Sequence, residues 1–175
     1  GNPTNQKVRD YLVGIVDELS QMGFDEILLY NAGFPTEGKI DTIKQDENYD
    51  ATKFAQIIGD FYDQAAQAAE QGGAKLSVVT TADTIQTGSD AKSGQTLENL
   101  SKLSRVWLRD AGNSDLNALE QKLAVLCQKT AVGGPGLSVE GHTRVEAVGQ
   151  VKDLFCLPGN GSHRLYRLPG QKIIV

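Results

Sequence analysis

Apolar residues at Val8, Tyr11, Leu12, Ile15, Val16, Leu19 and Met22 recur every three or four positions. That spacing brings side chains back to one side of an α-helix. Pro3 and the candidate N-cap Thr4 precede the helix, and Gly23 ends it. Glu26-Ile27-Leu28-Leu29-Tyr30 follows, a short continuous apolar run bounded by turn residues, which predicts a strand covered on both faces. Residues 33–49 are polar, with Gly33, Pro35 and Gly38, and predict a long loop. Asp50 then caps a second helix with Phe54, Ile57, Ile58, Phe61, Ala65, Ala68 and Ala69 on one side, stopped by Gly72-Gly73.

The alternation continues. Leu76–Thr80 predicts a strand, 83–95 a polar loop, 96–103 a short helix and Arg105–Leu108 a further strand. Ser114 caps a helix carrying Leu116, Leu119, Leu123 and Leu126. A weaker strand is expected within 130–139, a helical turn at 143–149 and a strand at Asp153–Leu157. Residues 165–175 read as an edge hairpin or docking tail. Helices alternating with short apolar strands imply an α/β fold, a mainly parallel sheet with flanking helices. An open doubly wound sheet and part of a (β/α) barrel both satisfy that pattern. A complete barrel typically takes about 250 residues and rarely fewer than 200, so about five strands in 175 residues argue against a whole one.

Composition narrows the classes. Hydrophobic residues make up 39% and charged residues 22%, enough for a core and unlike a disordered segment. The net charge of −5, without a basic stripe, argues against nucleic acid as a partner. No apolar run approaches the ~20 residues of a membrane helix, and no signal peptide opens the chain. The start Gly1-Asn2-Pro3, without methionine, reads as a piece of a longer protein. Cys127 and Cys156 read as small apolar residues on a helix and a strand, and leave the redox compartment open.

Ligands of parallel α/β folds bind at the carboxyl ends of the strands. The residues just past each predicted strand are Tyr30 and Asn31, Thr81 and Asp83, Arg109 and Asp110, Glu140 and His142, then Asn160 and His163. Asp83, Asp110 and Glu140 are the candidate acids for a carboxylate pair acting on a glycosidic bond. Each also suits a turn or a helix start. Tyr30, Asn31, Arg109, His142, Asn160 and His163 are the candidate substrate-binding residues. Tyr30 and Trp107 could stack on a sugar face, although Trp107 inside a strand equally suits the core. His142 and His163 lack metal-ligand spacing, so no metal site is predicted. Gly133-Gly134-Pro135-Gly136 lacks the phosphate-loop lysine and the dinucleotide fingerprint, there is no G-x-S-x-G elbow, and no cofactor is predicted. A flavodoxin-like domain would need residues 33–38 as its phosphate cradle, a poor match.

Asn2-Pro3-x-Asn5-x-x-Val8-Arg9-Asp10-Tyr11-Leu12, then Gly23-Phe24-Asp25-Glu26-Ile27, then Phe34-Pro35 resembles a family of bacterial glycoside-hydrolase-like barrel proteins. Their pattern reads N-P-x-N-x-x-V-R-x-Y, then G-F-D-E-I-x-x-D-Y-x-R-F-P. The resemblance implies a strand near the middle of a (β/α)8 barrel, ending on a candidate catalytic Asp. This chain has Tyr30 in place of that acid and Gly33 in place of the family's Arg. The expectation is therefore a partial or reduced TIM-type barrel over 1–157, with 158–175 as its edge hairpin or tail. Its centre would be degenerate, binding or acting on carbohydrate or cell-wall glycan in an extracellular or cell-surface setting. The rival reading is a non-catalytic module that docks a partner chain, an upstream barrel half, or a second copy as a homo-oligomer.

Overall fold

A computed structural model describes residues 2–43, 47–103, 105–109, 136–139, 166–168 and 171–174. Helix α1 spans Gln6–Gln21 and is capped by Asn5, whose side chain accepts from the Lys7 N–H. Thr4, the cap expected from sequence, is instead buried beside it. Strand β1 (Glu26–Leu29) leads through a loop with one 3-10 turn (Ile40–Thr42) to α2 (Ala51–Gln71), which Asp50 caps through Thr52 N–H. Strand β2 (Lys75–Thr81) runs straight into the short helix α3 (Ala82–Thr87).

The stretch expected as a plain polar loop over 83–95 is thus more structured. After α3 come β3 (Ser89–Asp90) and β4 (Gln95–Thr96), a two-stranded antiparallel hairpin, then α4 (Leu97–Leu100). Strand β5 (Arg105–Arg109) follows, then β6 (Gly136–Val139), β7 (Tyr166–Leu168) and β8 (Gln171–Ile174). The helix expected after Ser114, the turn at 143–149 and the strand at 153–157 lie outside the described residues.

The main sheet has the order β6-β5-β2-β1-β8-β7. All its neighbours are parallel except β7 and β8, which form an antiparallel hairpin at the chain's end. From β1 through β2 and β5 to β6, sequence order and spatial order agree. Among the described residues the sheet is open: β6 and β7 are its edges, and no barrel closes.

Side chains alternate across a strand, and here the two faces differ in kind. Ile27, Leu76, Val78, Val106 and Leu108 face the helices and join Val16, Phe54, Ile58, Phe61, Tyr62 and Ala65 in one core. Burying each large apolar side chain contributes about 1.5–3 kcal/mol, and α2 supplies most of the helical share. The opposite face carries Glu26, Leu28, Ser77, Val79 and Trp107, which are also buried. Both faces being covered explains why β1 and β2 read as continuous runs rather than as alternating ones.

Candidate functional site

The carboxyl ends of three adjacent parallel strands meet at one rim. Leu29 of β1 is in register with Val78, and Thr81 of β2 with Arg109, the last residue of β5. Tyr30 leaves β1 with 45% of its surface exposed. Asn31 follows it in the left-handed region, at φ 52°, also exposed. An asparagine tolerates that conformation better than most residues, and the turn ends β1 abruptly and leaves both side chains at the rim. At the end of β2, the Thr81 hydroxyl accepts from Thr84 N–H at 3.2 Å and caps α3. Asp83 lies exposed in that helix's first turn, where the helix dipole favours a carboxylate.

A buried polar network fixes this rim from below. The Tyr62 hydroxyl donates to the Ala32 carbonyl at 2.9 Å and accepts from Gln95 Nε2 at 2.9 Å. Gln95 Nε2 also donates to the Val79 carbonyl at 3.1 Å, and its Oε1 accepts from Thr80 at 2.8 Å. Four segments are tied together in this way: the β1 exit, α2, the end of β2 and the hairpin. Burial raises the Tyr62 phenol above its ordinary range, against a smaller opposing effect of the Gln95 hydrogen bond. The neutral hydroxyl is therefore the form this network holds.

The exit from β1 is clamped at a second point, where Phe34 N–H donates to the Ser93 carbonyl at 2.8 Å. A Cβ on Gly33 would stand 2.7 Å from that same carbonyl oxygen. Position 33 therefore has no room for a side chain here. Phe34 then stacks on Phe54 with ring centres 3.6 Å apart, and Tyr49 meets both rings edge-on.

A different cluster sits at the amino end of the sheet, and no motif in the sequence announced it. The Glu26 carboxylate, 2% exposed, accepts from the Ser77 hydroxyl, from Arg105 Nη1 at 2.6 Å and from Trp107 Nε1 at 3.1 Å. A buried charge is stable only when paired and hydrogen-bonded in this manner. Trp107 is thereby removed from the set of residues that could stack on a ligand, because it is buried with its N–H committed to Glu26. The available signal was an acid opening an apolar strand, opposite an Arg and a Trp two residues apart on one face of another strand.

Of the sequence-predicted site residues, Tyr30, Asn31, Asp83 and the backbone of Arg109 come to the same rim. Asp110, Glu140, His142, Asn160 and His163 lie outside the described residues. No three His, Cys, Asp or Glu side chains gather as metal ligands among the described residues, and no described helix is long and apolar enough to cross a membrane.

Residues 1–106 match the model of a family described as "Putative glycosyl hydrolase domain". The chain belongs to this glycosyl hydrolase domain family. The matched stretch takes in α1, β1, α2, β2 and the hairpin, and reaches into β5. It includes Tyr30, Asn31, Asp83 and the Glu26 cluster as far as Arg105. No curated protein and no solved structure matches the chain.

Proposed function

We propose that this member of the glycosyl hydrolase domain family binds carbohydrate, of the cell-wall glycan class, at the rim formed by Tyr30, Asn31 and Asp83, with a degenerate catalytic centre. The observation that carries this reading is the local structure at positions 30–34. An exposed phenol occupies the place of the family's acid, and Gly33 is pressed against the Ser93 carbonyl where the arginine would be. A phenol offers a sugar ring an apolar face and a polar tip. The Asn31 amide and the Asp83 carboxylate supply hydrogen bonds to hydroxyl groups. Without a carboxylate at position 30, the rim lacks the acid that the resembling family would use against a glycosidic bond.

The strand order supports the matching proposal for architecture. From β1 to β6 each strand is added on the same side of its predecessor, as in a (β/α) barrel, and β8 then pairs in parallel with the other edge of β1, as the last strand of a barrel does with the first. We read the chain as a portion of such a barrel, in which β8 takes the edge of β1 that another barrel strand would occupy.

The test is to incubate the protein with pooled oligosaccharides and bacterial cell-wall fragments, then to follow both retention and products by mass spectrometry. Retention without new products, reduced in Tyr30→Ala, is the expected result. New products abolished by Asp83→Asn would show an active hydrolase. Absence of retention would remove carbohydrate as the ligand.

A further inference from the structure

The two long helices treat their apolar residues differently. Helix α2 buries Phe54, Ile58, Phe61 and Tyr62, whereas α1 buries only Val16 and Ser20. Val8, Tyr11, Leu12, Ile15, Leu19 and Met22 of α1 and its C-cap fall within roughly 100° of the helix circumference. None of the six is buried, and Tyr11, Leu12 and Met22 are 69%, 41% and 65% exposed. Docking of α1 uses mainly the neighbouring flank: Val16 enters the core, Val13 and, from the band, Leu19 pack against it, and the Ser20 hydroxyl meets the Ala68 carbonyl of α2 at 3.3 Å.

The exposed band has the geometry of a helix-pairing seam. Val8, Leu12, Ile15, Leu19 and Met22 are spaced by four, three, four and three residues, the alternation that keeps one line of side chains facing a second helix. Its flank carries opposite charges at its two ends: Lys7 near the start and Glu18 near the finish, on the same side of the seam and both exposed. Neither makes an ion pair among the described residues.

We infer that a second copy of this chain covers this face, with the two α1 helices antiparallel. In that arrangement Val8 layers on Leu19 of the other copy and Leu12 on its Ile15, so these layers are apolar on both sides, and Met22 lies beyond them. The two-fold axis sets each Lys7 beside the other copy's Glu18. A parallel pairing would put the two Lys7 side chains on opposite sides of the seam and leave no lysine beside either Glu18. An anionic membrane surface suits the band less well, since Asp10, Asp17 and Glu18 outnumber Lys7 and Arg9 along the helix. A seam this short lies at the small end of specific interfaces, so the dimer is reversible and concentration-dependent.

Sedimentation velocity on the whole chain across a wide concentration range tests this. The expected result is a monomer–dimer equilibrium. Leu12→Glu should raise its dissociation constant about a hundredfold or more, with an unchanged circular dichroism spectrum. Lys7→Glu and Glu18→Lys, both at exposed positions, should each weaken association several-fold, and the double charge swap should restore it. A chain that stays monomeric at every concentration would overturn the proposal, as would a dimer indifferent to Leu12→Glu. Single charge variants that weaken the dimer without rescue in the double swap would overturn the antiparallel pairing.

Discussion

At the scale of single residues, two buried polar groups account for much of what holds the rim and the sheet in register. Glu26 sits at the amino end of β1 with three donors from β2 and β5, so the carboxylate links three strands. Removing one member of a buried ion pair typically costs about 3–5 kcal/mol. Glu26→Gln, which removes the negative charge from the pair with Arg105, is expected to lose stability on that scale in urea unfolding followed through Trp107, the sole tryptophan. A loss under about 1 kcal/mol would mean that the pair is not closed in solution. Tyr62 makes a separate prediction, in pH. Burial raises its folded-state pKa above the ordinary 10.0. The stability tied to the neutral phenol is therefore complete below about pH 10 and declines as pH rises beyond it. Tyr62→Phe should cost about 1–3 kcal/mol at neutral pH, because the Ala32 carbonyl loses its donor. It should also flatten the decline in the alkaline unfolding midpoint. An equally steep decline in the variant would show that other groups cause it.

At the scale of elements, what could be read in the chain depended on whether the signal was local. The spacing of Phe54, Ile58, Phe61 and Ala65 suffices for α2, and the run Leu76–Thr80 for β2, since each is a period or run set by a covered face. The β3–β4 hairpin was not legible. Its strands are two residues long, show no alternation, and are held by long-range contacts such as Phe34 N–H to Ser93 and the Gln95 network. The α1 pattern was legible as a helix but not in its partner: Tyr11, Leu12 and Met22 of the apolar band read from spacing are exposed, and the core takes mainly the flank beside it. Gly72, expected only as a helix stop, also lets α2 touch α1. A Cβ there would stand 2.0 Å from the Ser20 hydroxyl oxygen and 2.7 Å from its backbone carbonyl carbon. Gly72→Ala is expected to lower stability by about 1–3 kcal/mol through overpacking, measured by thermal or urea unfolding. Unchanged stability would mean the two helix ends separate without cost.

At the scale of the whole molecule, the parallel alignment of β1, β2 and β5 places Tyr30, Asn31 and Asp83 at a common end, while the Glu26 cluster lies at the opposite end. In parallel α/β architectures the carboxyl end carries ligands and the amino end stability, and the proposed binding rim lies at the first of these ends. The family opening was legible in the first 35 residues. The room denied to a side chain at Gly33 was not, because it depends on Ser93, sixty residues along the chain. The most direct test of the account is a backbone NMR titration of the whole chain with soluble cell-wall glycan fragments, with product analysis of the same sample. The account predicts shift changes clustered at residues 30–33, 82–83 and 109, and intact glycan at the end. Shift changes centred on Glu26, Lys75 and Arg105, or cleavage of the glycan, would contradict it.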